Sequence, residues 1–314
     1  MKKILFAFLL IGTSIQCSKG DPSSATFNLL SLEQNFGPQA SQVPFEGQYA
    51  FFKDVSYGTK PQNKLDILLP SKSDIKGVVL YFHGGAFLFG TKEDLYLSPS
   101  KEFVQALLAA DIAVINAAYT FINDKQSEGV LTALEEGTQV IRFAESNAAL
   151  MGIPSQQIVL AGISAGAGIA QWNGFRNETN ESIRGIVASF AQSSYDLYEW
   201  EKLFSNYSVD SLRTKYEELD DLFTDFYNGD ASEEKRALLD YRSFMDANDP
   251  SLYVFNPVYE DAFIDANDSL DFNVLFHSVK HADYLRQKAL NVGLDFSGSY
   301  KEAPETFIKR VLSE

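Results

Sequence analysis

One cysteine and three histidines in 314 residues are the first limits on this chain. A single cysteine, Cys17, forms no internal disulfide, so the fold must be held by its core. Three histidines, His83, His277 and His281, leave little choice of imidazole base. Basic residues are also scarce: 26 Lys and Arg stand against 42 Asp and Glu, a net charge of −16. That balance argues against nucleic acid, against a polyanionic substrate and against adsorption to anionic lipid. No internal repeat is visible. The apolar run at residues 4–11 is too short to span a bilayer. What is present is a globular composition, 45% apolar, long enough for one large α/β domain or two small domains.

The N-terminus reads as an export signal. Met1-Lys2-Lys3 is a basic start, residues 4–11 are apolar, and Cys17 follows Gln16. A cysteine at the cleavage point resembles the lipobox of bacterial lipoproteins. That resemblance implies a signal peptide over residues 1–16, acylation of Cys17, and a domain outside the cytoplasm on the bacterial cell envelope, with the lipid as its only membrane contact. The alternative is an ordinary signal peptide with an incidental cysteine. Residues 17–45, rich in Ser, Gln, Asn, Gly and Pro, read as a tether with one short helix near 29–34. The domain occupies 46–314.

Within the domain, residues 49–57 and 65–69 have strand patterning. The run 77–82 is apolar throughout, as a strand covered on both faces should be. Helical and strand patterns then alternate: helix 99–110, strand 112–118, helix 130–150, strand 158–161, helix 165–175, strand 185–190. This alternation predicts a mostly parallel sheet with helices on both faces. Residues 195–248 break the rhythm and read as an acidic, aromatic, helical insertion after the sixth strand. Residues 271–276 look like strand seven, 281–292 like a helix, 294–297 like a short final strand and 304–312 like a last helix.

Two motifs carry chemistry. Gly162-Ile163-Ser164-Ala165-Gly166 follows a buried strand and opens a helix. A strand-to-helix turn this tight admits only small residues beside the serine, and it puts a helix N-terminus next to Oγ. His83-Gly84-Gly85-Ala86-Phe87 also follows a buried strand. It resembles the H-G-G-G motif of lipases and carboxylesterases. With Asn63-Lys64-Leu65-Asp66-Ile67, these segments are similar to the α/β-hydrolase superfamily, nearest its hormone-sensitive-lipase-like and feruloyl-esterase-like carboxylesterases. The resemblance implies an eight-stranded α/β-hydrolase fold, a Ser-His-Asp triad with Ser164 as nucleophile, and hydrolysis of carboxylic esters without metal or cofactor. It also implies an oxyanion hole from the Ala165 N–H and two of Gly84, Gly85 and Ala86. His83 is expected to hold its loop rather than act as the base.

The triad departs from the family pattern, because no histidine follows residue 293. A serine without a base is a poor nucleophile. Three arrangements stay open. His281 or His277 has moved to the loop after strand seven, oriented by Asp196 or Asp283. Alternatively, 271–276 is strand eight, His277 sits on the ordinary histidine loop, and the acid is Asp261 or Asp265. In the third, the serine is inert. Two histidines four apart lack a third metal ligand at suitable spacing. The insertion's Tyr195, Tyr198, Trp200, Phe204 and Tyr207 either line a sugar or aryl pocket or form its own core. The expected function is therefore a serine carboxylesterase for small acyl or aryl esters, including those borne on polysaccharides. The competing expectation is a binding lipoprotein that keeps the fold without the chemistry.

Overall fold

A computed structural model describes residues 28–71, 74–204, 207–258 and 271–314. The expected signal peptide, Cys17, Asp261 and Asp265 lie outside them.

A short helix, α1 (Leu29–Phe36), precedes two strands, β1 (Tyr49–Ser56) and β2 (Lys64–Pro70). Then come β3 (Gly77–Phe82), α2 (Ser100–Ala109), β4 (Ile112–Ala117), α3 (Val130–Met151), β5 (Ile158–Ile163), α4 (Ala165–Gly174) and β6 (Ile183–Ser189). A helical stretch follows: a 3-10 turn at Leu197–Lys202, then α5 (Val209–Lys215), α6 (Glu217–Tyr227), α7 (Glu233–Leu239) and α8 (Tyr241–Phe244). The chain returns to the sheet at β7 (Ser251–Phe255) and continues through α9 (Phe272–His277), α10 (Val279–Val292), β8 (Phe296–Gly298) and α11 (Pro304–Val311).

The eight strands among the described residues form one sheet in the order β1-β2-β4-β3-β5-β6-β7-β8. β2 runs antiparallel to both its neighbours, β1 and β4, and every pairing from β4 across to β8 is parallel. This is the expected α/β-hydrolase architecture, with the helical insertion after the sixth strand.

The period-two geometry of a strand explains the continuous apolar runs. Val78, Leu80 and Phe82 of β3 enter the core shared with α3, α4 and the insertion. Val79 and Tyr81 enter the opposite core, with Val104 of α2 and Phe307 of α11. Each fully buried aliphatic side chain contributes about 1.5–3 kcal/mol, so a strand apolar on both faces is held from both sides.

The topology also places the site. From β3 the chain leaves through α2 toward β4, and from β5 it leaves through α4 toward β6, on opposite sides. The sheet therefore has its switch point between β3 and β5, where open α/β sheets bind ligands beyond the strand C-termini.

One expected element is corrected. Residues 271–276 are not a strand; 272–276 belong to α9 and Asp271 is its N-cap. The Asp271 side chain caps this helix, accepting from the N–H groups of Asn273 (2.8 Å) and Val274 (3.3 Å). Phe272 and Phe276, one helical turn apart, stack at 5.5 Å. Strand seven is Ser251–Phe255, paired in parallel with β6 from Gly185↔Ser251 to Ser189↔Phe255.

Candidate active site

Ser164 sits between β5 and α4 with φ 52° and ψ −117°. A non-glycine residue held there stores about 1–3 kcal/mol of strain. The flanking glycines are required by close approach. A Cβ on Gly162 would lie 2.2 Å from the Gly166 carbonyl, and one on Gly166 would lie 2.0 Å from the Phe82 oxygen. The Ser164 N–H donates to Ser189 O at 2.9 Å, and its carbonyl accepts from Ala167 at 2.9 Å. The turn is thus fixed, and Oγ projects from it. The Ala165 N–H, first in α4, has no intrahelical acceptor.

The loop after β3 approaches from the other side of the switch point. Gly85, Ala86 and Phe87 take φ values of 116°, 52° and 60°, three successive residues with positive φ. Leu88 and Phe89 N–H groups donate to Gly85 O at 2.9 and 3.0 Å, and Ile122 N–H donates to Phe87 O at 2.9 Å. The N–H groups of Gly84, Gly85 and Ala86 find no acceptor among the described residues. His83 is buried behind them. Its ring stacks on Tyr119 at 4.3 Å, Nδ1 lies 2.6 Å from Gly84 O, and burial pushes its pKa down. Tyr119 Oη donates to His83 O at 2.9 Å. His83 therefore packs under the loop, and among the described residues it makes no hydrogen bond to Ser164.

His277 completes the contact. Its Nε2 lies 3.0 Å from Ser164 Oγ. It is the last residue of α9, between β7 and α10, and not in the segment after β8. The ring meets Phe190 edge-on at 5.5 Å, and burial lowers its pKa below the ordinary 6.5. An imidazole with a depressed pKa is neutral at neutral pH, the form that accepts a proton. Among the described residues, Nδ1 has no hydrogen-bond partner.

The other two expected partners lie elsewhere. His281 is fully buried, with Nε2 donating to Leu275 O at 2.8 Å. Its Nδ1 accepts from the Ser193 N–H at 3.2 Å and faces Ser193 Oγ at 3.1 Å. Desolvation lowers its pKa to about 4. Both nitrogens are occupied away from Ser164. Asp196 accepts from Arg236 Nε at 2.9 Å and from the Tyr198 N–H at 3.1 Å, so its carboxylate serves the insertion. Asp283 bonds neither imidazole. Among the described residues, no group of three or more His, Cys, Asp or Glu side chains could hold a metal ion.

Ser164 and His277 open onto a cavity of about 620 Å³. Tyr195, Trp200, Phe223 and Phe226 of the insertion line it opposite Phe89 and Phe272. Of the insertion's aromatics singled out in the sequence, Tyr195 and Trp200 reach the cavity. Phe204 and Tyr207 are buried in the core, and Tyr198 stacks under Arg236. Sequence reasoning did not find Gln192, Phe190 or Asn256. Only Asn256 carried a local signal, the Asn-Pro step that ends β7.

Comparison with known proteins bears on this architecture. A probable isoprenylcysteine alpha-carbonyl methylesterase of Oryza sativa subsp. japonica is 30% identical over 156 residues, 48% of this chain and 35% of that protein. The isoprenylcysteine alpha-carbonyl methylesterase of Arabidopsis thaliana is 29% identical over 164 residues, 49% of this chain and 36% of that protein. The chain thus spans about a third of the length of these relatives. Among solved structures, a truncated carbohydrate esterase from gut microbiota superposes with a TM-score of 0.63 at 16% identity, covering 88% of this chain and 100% of that one. These likenesses establish the fold. The BD-FAE family model matches residues 65–273, two thirds of the sequence. The chain belongs to the BD-FAE family, on an α/β-hydrolase fold.

Proposed function

We propose that this protein is a serine carboxylesterase in which Ser164 is the nucleophile and His277 the base. The observation that carries the reading is the 3.0 Å contact between Ser164 Oγ and His277 Nε2 at a strained strand-to-helix turn. Ser164 Oγ attacks the ester carbonyl carbon while its proton passes to His277 Nε2. The tetrahedral oxyanion is held by the Ala165 N–H and two of the amides of Gly84, Gly85 and Ala86. A single such donor is worth about 3–4 kcal/mol to the transition state. The carbonyl re-forms, and the alcohol leaves with the proton from His277. Water, activated by the same imidazole, then releases the acid and restores Ser164. The contact with a neutral imidazole supports this reading over a binding protein with an inert serine.

The cavity directs the choice of ester. Some 620 Å³ lined mainly by aromatic and aliphatic side chains suits an aryl ester or a branched or extended acyl group. The plant relatives are named for a methyl ester of an isoprenylated cysteine, and the solved neighbour for a carbohydrate ester. The apolar lining favours a substrate with a bulky apolar portion, with any sugar left at the mouth. The same proposal puts the domain outside the cytoplasm on acylated Cys17. Incorporation of a labelled fatty acid, lost in Cys17→Ser, checks that part.

The test is hydrolysis of p-nitrophenyl esters together with fluorophosphonate labelling. Activity and labelling should vanish in Ser164→Ala and fall steeply in His277→Ala. Equal turnover in wild type and both variants overturns the reading.

A further inference from the structure

The base-bearing helix α9 ends in a set of carbonyls that have no intrahelical partner, as every helix does. Here each of the last ones meets a side-chain donor from a different part of the fold. Leu275 O accepts from His281 Nε2 of α10 at 2.8 Å. Phe276 O accepts from Gln192 Nε2, in the loop after β6, at 2.8 Å. His277 O and Ser278 O both accept from Asn256 Nδ2, just past β7, at 3.1 Å. Asn256 is itself locked to Ala191, accepting its N–H at 2.9 Å and donating to its carbonyl at 2.8 Å. Gln192 O in turn accepts from Tyr241 Oη at 2.7 Å. All three donors are buried.

We infer that Asn256, Gln192 and His281 are positioning residues that clamp α9 and so fix the His277 imidazole against Ser164. The inference rests on the assignment of His277 as base. A helix of six residues has little stability of its own. Its terminal residue must nevertheless present Nε2 within hydrogen-bond reach of a serine that is itself rigidly held. Three donors on successive carbonyls fix both the position and the rotation of that last turn. His281 can act only as the Nε2–H tautomer, because Nδ1 receives the Ser193 N–H. The second histidine of the pair therefore supports the first.

The experiment compares wild type, Asn256→Asp, His281→Ala and His281→Gln, with kcat expressed per Ser164 titrated by the fluorophosphonate. Asn256→Asp keeps the shape and the acceptor for the Ala191 N–H but removes the donations to His277 O and Ser278 O at the end of α9, together with that to Ala191 O. His281→Gln keeps an N–H for Leu275 and an oxygen for Ser193. A misplacement of about 1 Å at a reacting group costs on the order of 100-fold. Asn256→Asp and His281→Ala should therefore lose about 30-fold or more in kcat with KM changed less than about threefold, and His281→Gln should recover most of the loss. If His281→Ala does not fold, Asn256→Asp and His281→Gln decide by the same criteria. A merely structural role would lower thermal stability and the titrated fraction while leaving kcat per titrated site at the wild-type value, and that result overturns the clamp. Wild type inert to both ester and probe instead removes the esterase reading, and the clamp's purpose with it.

Discussion

Protonating His281 should destabilise this protein, and the size of the effect follows from its surroundings. The ring is fully buried and has a carbonyl on one nitrogen and an amide N–H on the other. A second proton would place Nδ1–H against the Ser193 N–H in a fully buried site. Its folded pKa is accordingly lowered to about 4, against 6.5 when exposed. Between those values the unfolded chain binds the proton and the folded chain does not. The contribution is therefore fully present above about pH 6.5 and is lost as the pH falls toward 4. Linkage puts the loss at about 3 kcal/mol between pH 7 and pH 4. Asp249 acts in the opposite sense: burial raises its pKa to about 6, so its contribution to stability grows as pH falls from 6 toward 3.8. The difference between wild type and His281→Gln isolates the histidine. Urea midpoints taken every half unit across this range should converge as the pH drops, because the variant lacks the penalty. Parallel curves would refute both the burial of the ring and its tautomer.

Further outcomes follow from the same contacts. The kcat/KM of ester hydrolysis should rise with pH through an inflection below 6.5, since His277 must be neutral to act and burial lowers its pKa; an inflection above that value contradicts its environment. Ser164→Ala should lower kcat by about 10⁴-fold or more with thermal stability little changed, since alanine keeps the same strained backbone and only the Oγ contact with His277 is lost. Gly166→Ala puts a methyl on the Phe82 carbonyl and should cost about 3 kcal/mol or abolish folding, seen as a shifted urea midpoint. Leu222→Trp, reaching into the cavity from α6, should raise KM for a p-nitrophenyl ester of a long or aryl acid by about tenfold or more while sparing the acetate.

Most of the fold was legible because buried parallel strands leave a strong trace. Residues 77–82, 112–118 and 158–161 are almost wholly apolar, with Asn116 the one buried amide, and the structure gives β3, β4 and β5 there. The end of the sheet was harder to read. In β7, a five-residue segment, Ser251 and Phe255 are only partly covered, and the aromatic insertion before it hides its onset. Its boundaries were nonetheless marked, by Asp249-Pro250 before and Asn256-Pro257 after. Residues 271–276 misled for the opposite reason. Val274 and Leu275 are buried side by side, as in a covered strand, but Asp271 opens the segment as a helix cap and the two phenylalanines are spaced for one helical turn. Cap and spacing outweigh a short apolar run, which by itself does not separate helix from strand.

The serine and its two glycine-bearing loops were readable because their requirements are local: a tight turn, small flanking residues, and a strand before each. The imidazole has no such local requirement. A proton acceptor must reach Oγ in space, and nothing in chemistry ties it to one stretch of chain. The ordinary position after β8 is filled here by a segment with no histidine, in which Glu302 pairs with Arg310 and bonds Ser297. His277 arrives from the β7 side on α9, whose Phe272, Asn273, Phe276 and His277 line the cavity and whose end meets Asn256, Gln192 and His281. Those three residues are far apart in sequence and chemically ordinary, so no motif announces them. Their signature exists only after folding, as successive carbonyls that each find a buried donor. An imidazole can reach the serine from another stretch of chain when the element that carries it is held in place there. For that reason the spacing between serine and histidine is weak evidence for or against catalysis, and the hydrogen bonds behind the histidine are stronger.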